Sequence, residues 1–202
     1  MNYLAIDTSG KALSIAACFD GKTQTYYDAD CGVKHSVDLM PETEKLLSEM
    51  GADLKNADFI ACVVGAGSFT GIRIGVSTVK ALCFAYGKPA LSITSFDTLA
   101  YNKKGRVMAV IDAGHGGYYA CCYDDFKVVV PPCYINKERL GELAAQYQPV
   151  VYSPIEGLNA VAVSPTEGLK KAVEYKCSEK KIVPDQLEPL YIRKSQAEEG
   201  RK

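Results

Sequence analysis

Asp7-Thr8-Ser9 and Asp112-Ala113-Gly114 each set an acidic side chain at the end of an apolar run, beside small residues. Short side chains leave backbone N–H groups open to an oxyanion, and a carboxylate at such a turn can meet a metal-bound water. Phosphate chemistry is one reading of each turn; plain turn-forming aspartate is the other. The third candidate is Gly65-Ala66-Gly67-Ser68-Phe69-Thr70-Gly71, where Gly65, Gly67 and Ser68 are small enough to approach phosphate. It fits no standard phosphate loop. The dinucleotide pattern needs glycine where Thr70 stands, and the Gly-Lys-Ser/Thr of a P-loop is absent. The competing reading is a tight strand-to-helix turn in which Ser68 or Thr70 caps the helix, and this common arrangement carries more weight.

Other chemistries find less support. His35 and His115 are far apart and have no His-x-x-x-His partner, so each reads as a polar loop residue and no metal is assigned. No Gly-x-Ser-x-Gly elbow or local Cys/His signature is present, so no catalytic residue is assigned. The eight cysteines form no Cys-x-x-Cys pair. Neighbours Cys121 and Cys122 would point to opposite faces of a strand, a poor chelate. They read as reduced cysteines serving as small core hydrophobes. With 23 basic and 24 acidic side chains, the net charge of -1 gives no global drive toward nucleic acid. Lys170, Lys171, Lys176, Lys180 and Lys181 cluster late in the chain. A solvated helix face is the commoner meaning of such a run, and a contact with RNA phosphates the rarer one. No apolar run reaches membrane-spanning length, and the N-terminus opens on a strand rather than a leader, so a cytoplasmic protein is expected.

The elements that position these turns follow from hydrophobic periodicity. Residues 3–6 and 12–19 are apolar runs on either side of the Asp7 turn, and Asp20-Gly21 is a strong hairpin signal leading to a third strand over 23–28. Leu39, Leu46, Leu47 and Met50 predict a helix over 37–50, stopped by Gly51. The continuous run 59–64 predicts a buried strand, followed by the glycine loop, a helix over 72–86 and a strand over 90–94. After a polar break at 102–105 the opening recurs: strand 107–111, the Asp112 turn, strand 118–123, Asp124-Asp125 and strand 126–130. Helices over 139–147 and 168–175 and a strand over 150–152 follow. This recurrence predicts an internal duplication, with domains over 1–102 and 103–202 and the second one reduced. At 202 residues and 48% hydrophobic composition, two small domains can each bury a core.

The helix over 72–86 carries apolar residues on two sides. Ile72, Val76, Val79, Cys83 and Tyr86 form one stripe; Ile74, Ala81, Leu82 and Ala85 form another. One stripe serves the helix's own sheet, and the second must meet another helix or a partner.

These segments together are similar to a known family. Asp7-Thr8-Ser9, Lys34-His35-Ser36 with Leu39-Met40-Pro41, the stretch from Gly65 through Gly71-Ile72-Arg73-Ile74-Gly75, Asp112-Ala113, and Pro189-Leu190-Tyr191-Ile192-Arg193 closely resemble the TsaB (YeaZ) family of bacterial tRNA threonylcarbamoyladenosine (t6A) biosynthesis. The resemblance runs from the first strand to the tail and is weak over 125–185. It implies an α/β, two-domain actin-like ATPase (ASKHA, ribonuclease H-like) fold with a duplicated βββαβα core. It implies no catalysis by this chain. Family members pair through their first two helices with TsaD, the paralogue that forms N6-threonylcarbamoyladenosine next to the anticodon of tRNAs reading codons that begin with A.

The resemblance thereby assigns a partner interface to His35, Leu39, Leu46, Met50, Ile74, Thr78, Leu82 and Ala85. It leaves Asp7, Thr8, Ser9, Gly65, Gly67, Ser68, Asp112 and Gly114 as vestigial phosphate loops. TsaD carries a His-x-x-x-His metal motif just after the strand that follows its glycine loop; here Ser95 and Leu99 stand at those positions, with Asp97 between them. The ATPase TsaE joins the same assembly. No intrinsic cofactor is implied, ATP or ADP being expected only at the assembled complex. A homodimer of the free chain and indirect contact with tRNA complete the expected partners. Two departures stand out: Ala66 where the family commonly has proline, and Gly114-His115 where it often has arginine. The alternative is a small actin-like ATPase or kinase using Asp7 and Asp112. The missing histidine pair argues against a metallopeptidase.

Overall fold

The first half of the chain threads one sheet before the second begins. In this computed structural model, which describes residues 1–178 and 187–193, β1 (Tyr3–Asp7), β2 (Leu13–Phe19) and β3 (Lys22–Asp28) form an antiparallel meander. Asp20 and Gly21 both have positive φ, 51° and 78°, the backbone that a tight hairpin between right-twisted strands requires. Helix α1 (His35–Met50) ends on Gly51 in the left-handed region. Strand β4 (Phe59–Val63) then lies parallel to β1, helix α2 (Phe69–Tyr86) crosses back, and β5 (Ala90–Ile93) lies parallel to β4. The sheet order is β3-β2-β1-β4-β5.

The short helix α3 (Ser95–Ala100) leads into the second sheet: β6 (Arg106–Gly114), β7 (Gly117–Asp124), β8 (Lys127–Ile135), helix α4 (Lys137–Ala144), β9 (Gln148–Val151) and β10 (Val161–Ala162). Its order, β10-β9-β6-β7-β8, is the order of the first sheet read from the other edge. Helix α5 (Pro165–Ser178) closes the run. Two elements have no counterpart among the sequence expectations. Helix α3 is too short to show a helical period, and β10 is only two residues long.

Alternation along the strands explains the layers. In β1, Leu4 and Ile6 face α1 and α2, while Tyr3 and Ala5 face the middle of the molecule. In β6, Val107 and Ala109 face the same middle layer, and Met108 and Val110 face α4. The middle layer, with Phe96 and Leu99 of α3 and Leu169, Ala172 and Val173 of α5, is shared by both sheets. Helix α5 packs on α3, β1 and β2, so the end of the expected second half lies against the first sheet. Cys121 and Cys122 divide between two cores, as opposite strand faces require, and all eight cysteines are free thiols. Burial pushes the Cys121 thiol up to about 12 and Cys122 up to about 11, which keeps both unreactive.

Candidate functional site

The turn after β1 is built by its own side chains. The Ser9 backbone N–H and the Ser9 hydroxyl both donate to Asp7 Oδ1, at 2.8 and 2.6 Å. The Ser9 hydroxyl proton is thereby given to Asp7, so the Ser95 hydroxyl, 3.0 Å from Ser9 Oγ, must be the donor of that pair. Asp7, Ser9 and Ser95 are all buried. Burial raises the Asp7 carboxyl above its ordinary range, against the lowering effect of the two Ser9 hydrogen bonds and of nearby His35.

The glycine loop is fitted against this turn. Ser68 N–H donates to Ser9 O at 2.6 Å, and Thr8 Oγ1 donates to Gly71 O at 2.7 Å. A Cβ on Gly67 would lie 2.1 Å from Ser9 O, and one on Gly71 would lie 2.0 Å from Thr8 O. Ser68 is the N-cap of α2, its hydroxyl accepting from Gly71 N–H at 3.2 Å. The capped strand-to-helix turn is thus the arrangement found, and the glycines permit close backbone approach.

The second aspartate is placed differently from the expectation: β6 runs on through Asp112 to Gly114 with a bulge between them, and the hairpin turn itself is His115-Gly116. Asp112 is exposed, and its Oδ1 accepts from Gly114 N–H at 2.7 Å. Between the two turns runs a cleft of about 510 Å³, where Asp7, Ser9, Ser95 and Asp112 meet Lys11, Tyr27 and Tyr152. Tyr152 donates to the Thr98 hydroxyl, tying β9 to α3. A second groove, about 630 Å³, joins Val33 and His35 to Ser68, Thr70 and Ile74 and to Asp112. The structure therefore brings the three sequence candidates together. Ser95 and Tyr152 reach the cleft by nonlocal packing that spacing could not reveal, whereas Lys11 belongs to the same β1–β2 connection as Ser9.

Some of the groups that could meet a phosphate are already used within the chain. The N–H groups of Ser9, Ser68, Gly71 and Gly114 are already engaged within the chain. Two carboxylates line the same cleft, and they repel an anion. At the metal-ligand positions expected from the resemblance, Ser95 is bonded to Ser9 and Leu99 is in the core. Asp97 instead accepts from Thr94 N–H and the Tyr123 hydroxyl, at 2.9 and 3.1 Å, and lies 3.4 Å from Lys176 Nζ. Elsewhere, Asp28, Cys31 and Asp38 bring potential ligand atoms close together. Burial and the two carboxylates raise the Cys31 thiol.

The residues assigned to a partner interface differ in exposure. Leu39, Leu46 and Leu82 are buried in the core beneath the first sheet, because α1 and α2 need them to cover it. His35 is not a loop residue: it opens α1, is buried, and its Nε2 donates to Ala12 O at 3.1 Å. Met50, Ile74 and Thr78 are half-buried, and Ala85 is exposed. The large exposed apolar side chains of this region are Val33 just before α1, Val37 and Met40 in its first half, and Phe84, at 91% exposure, and Tyr86 on α2. The i, i+4, i+7 spacing of Val33, Val37 and Met40 was a readable signal. Of the clustered lysines, Lys170, Lys171 and Lys176 lie on α5, while Lys180 and Lys181 fall outside the described residues.

Comparison with known proteins gives a consistent answer. A family model described as TsaD, tRNA N6-adenosine threonylcarbamoyltransferase, matches residues 29–176. The tRNA threonylcarbamoyladenosine biosynthesis protein TsaB of Escherichia coli (strain K12) is 29% identical over 162 residues, 73% of this chain and 69% of that one. The TsaB protein of Bacillus subtilis (strain 168) is 33% identical over 126 residues, 61% of this chain and 55% of that one. The structure of YeaZ from Pseudomonas aeruginosa superposes with a TM-score of 0.79 at 28% identity, covering 94% of this chain and 99% of that one. The two matching sheet orders and this superposition define an α/β protein of the actin-like, ribonuclease H-like class. The sequence matches narrow the class: the chain belongs to the TsaB (YeaZ) family, within the wider group that the TsaD family model describes.

Proposed function

We propose that this chain acts in tRNA threonylcarbamoyladenosine biosynthesis as a non-catalytic partner that binds and activates TsaD. The observation that carries this reading is the start of α3. The positions that would hold metal-binding histidines in the catalytic paralogue are Ser95 and Leu99, both built into the interior. The names of the E. coli and B. subtilis relatives support the pathway. Docking through α1 and α2 would use their outward residues, with Val33, Val37, Met40 and Phe84 supplying apolar area next to Ile74, Thr78 and Ala85.

With the Ser9, Ser68, Gly71 and Gly114 amides engaged within the chain, a nucleotide in the assembly would draw in part on groups that the partner supplies. TsaE and tRNA would then be met through TsaD, in the cytoplasm. Among the described residues no helix is long and apolar enough to cross a membrane. The rival reading, an actin-like ATPase, draws on Asp7 and Asp112 facing one cleft.

The test is gel filtration of the purified chain with TsaD, alongside an assay of magnesium-ATP hydrolysis by the chain alone. A complex that is lost in a Val37→Asp, Phe84→Asp double variant with unchanged melting, and no hydrolysis above background, is expected. Hydrolysis by the isolated chain that disappears in Asp7→Ala would overturn the reading in favour of the ATPase.

A further inference from the structure

The two most distinctive sequence segments, the Gly65–Gly75 stretch and Pro189-Leu190-Tyr191-Ile192-Arg193, lie more than a hundred positions apart and meet in the structure. Leu187 is completely buried in the core shared by β1, α1 and α2. Leu190 N–H donates to Val64 O at 2.7 Å, continuing from the end of β4. The approach is so close that a Cβ on Gly65 would lie 2.8 Å from Leu190 O, and Gly65 itself has φ +114°. One residue on, the Tyr191 ring stacks on Phe69, the first residue of α2, with centroids 4.7 Å apart and planes at 29°. Arg73, one turn into α2, donates from Nε to the Tyr191 hydroxyl at 3.0 Å and places its guanidinium 3.9 Å from the Phe69 ring centre. Arg193 then lies 4.6 Å over the ring of Tyr134 on β8, the edge strand of the second sheet.

We infer that residues 187–193 form a strap that fixes the first turn of α2 and thereby sets the surface through which this chain meets its protein partner. Phe69 and Arg73 sit on the turn whose other residues, Thr70 and Ile74, border the groove beside Val33. Helix ends fray, and the first four N–H groups of a helix have no partner within it. At α2, Ser68 satisfies one of them, and the Tyr191–Phe69–Arg73 sandwich holds the side-chain layer of the same turn. An aromatic stack topped by a guanidinium is a stiff arrangement that loses little side-chain entropy when a partner docks. Tyr191, Leu190 and Arg73 are therefore positioning residues. This inference rests on the proposed partnership, but its first measurement does not need the partner.

The experiment compares full-length wild type, Tyr191→Ala, Tyr191→Phe and Leu190→Pro. Hydrogen exchange is followed across α1 and α2, together with affinity for TsaD and melting temperature. Leu190→Pro removes the N–H that bonds Val64 while keeping an apolar side chain. For Tyr191→Ala and Leu190→Pro, exchange at residues 69–75 is expected to rise about fivefold or more while α1 stays unchanged. TsaD affinity should fall about tenfold, with melting lowered by only about 2–4 °C. Tyr191→Phe retains the stack and should stay within about threefold of wild type in affinity. Unchanged exchange in Tyr191→Ala would overturn the strap. Raised exchange with wild-type affinity would overturn its role in setting the partner surface, as would a Tyr191→Phe variant as weak as Tyr191→Ala. If wild type itself binds no TsaD, the partnership fails instead, and the exchange data alone still decide whether the strap exists.

Discussion

The two sheets share one strand order and differ in what covers them. In the first, the crossing from β4 to β5 passes through the glycine loop and the long helix α2. In the second, the corresponding crossing from β9 to β10 is residues 152–160, which contain no helix, and Ile155, Leu158 and Ala160 pack where a helix would lie. The aspartate turns diverge in the same sense: Asp7 is buried and doubly bonded to Ser9, while Asp112 is exposed. Backbone pairing can preserve a sheet when its helical cover is lost, provided that something apolar fills the face. The half that kept the crossing helix carries exposed apolar side chains on helices, Val37, Met40 and Phe84, whereas those of the second half, Val128, Val129, Tyr134 and Val161, lie on strands. Duplication thus explains the shared topology of the two sheets.

Substitutions at matched places test this contrast. Leu46→Asp puts an unpaired charge under the first sheet and should cost about 4 kcal/mol or more, abolishing cooperative melting. Leu158→Asp, in the half-buried loop that replaces a helix, should cost about 1–2 kcal/mol, read by denaturant titration. Leu82→Asp should behave as Leu46→Asp does, since both are core residues. The glycines come next. Gly67→Ala and Gly71→Ala each collide with backbone oxygen near 2 Å and should each cost about 3 kcal/mol. Gly157→Ala meets nothing within 4 Å and carries only the strain of φ +77°, about 1 kcal/mol.

The aspartates give a smaller effect of opposite sign. The folded-state pKa of Asp7 lies above its unfolded value, so the proton is held more tightly in the folded protein. Stability from this group is fully present below the unfolded carboxylate pKa and is lost as pH rises through the folded one. Asp7→Asn should therefore raise the melting temperature at neutral pH and flatten this part of the stability–pH curve, read by thermal melts across pH. Asp112→Asn should change melting by less than about 1 °C. Smallest in stability is the surface pair: Phe84→Asp and Val128→Asp both alter exposed side chains and should each shift stability by under about 0.5 kcal/mol. Phe84→Asp should nevertheless weaken TsaD binding about tenfold or more, and Val128→Asp on β8 should not.

Much of the fold was legible because its signals are local. The Asp20-Gly21 turn, the apolar runs of β1 and β4, the Ser68 cap and the Gly51 stop each depend on neighbouring residues. The recurrence of the aspartate turns correctly indicated repetition. Burial was less legible. Leu39, Leu46 and Leu82 look identical in sequence whether they face a sheet or a partner, and only the packing of α1 and α2 decides between the two. His35 reads as polar, yet a single acceptor, Ala12 O, lets it enter the interior. Ser95 and Tyr152 join the cleft through contacts between distant segments, and the short helix α3 hides its own period. Proximity of the Leu187–Arg193 tail to the glycine loop could not be read at all without the fold.

The most direct test of the partnership is a tRNA-modification assay in which TsaD and TsaE are held constant and this chain is added or withheld. Threonylcarbamoyladenosine should form at a useful rate only when the chain is present, should persist with Asp7→Asn, and should be lost with the Val37→Asp, Phe84→Asp variant. Full modification without the chain, or undiminished modification with the double variant, would contradict a partner that activates TsaD through the outward face of α1 and α2.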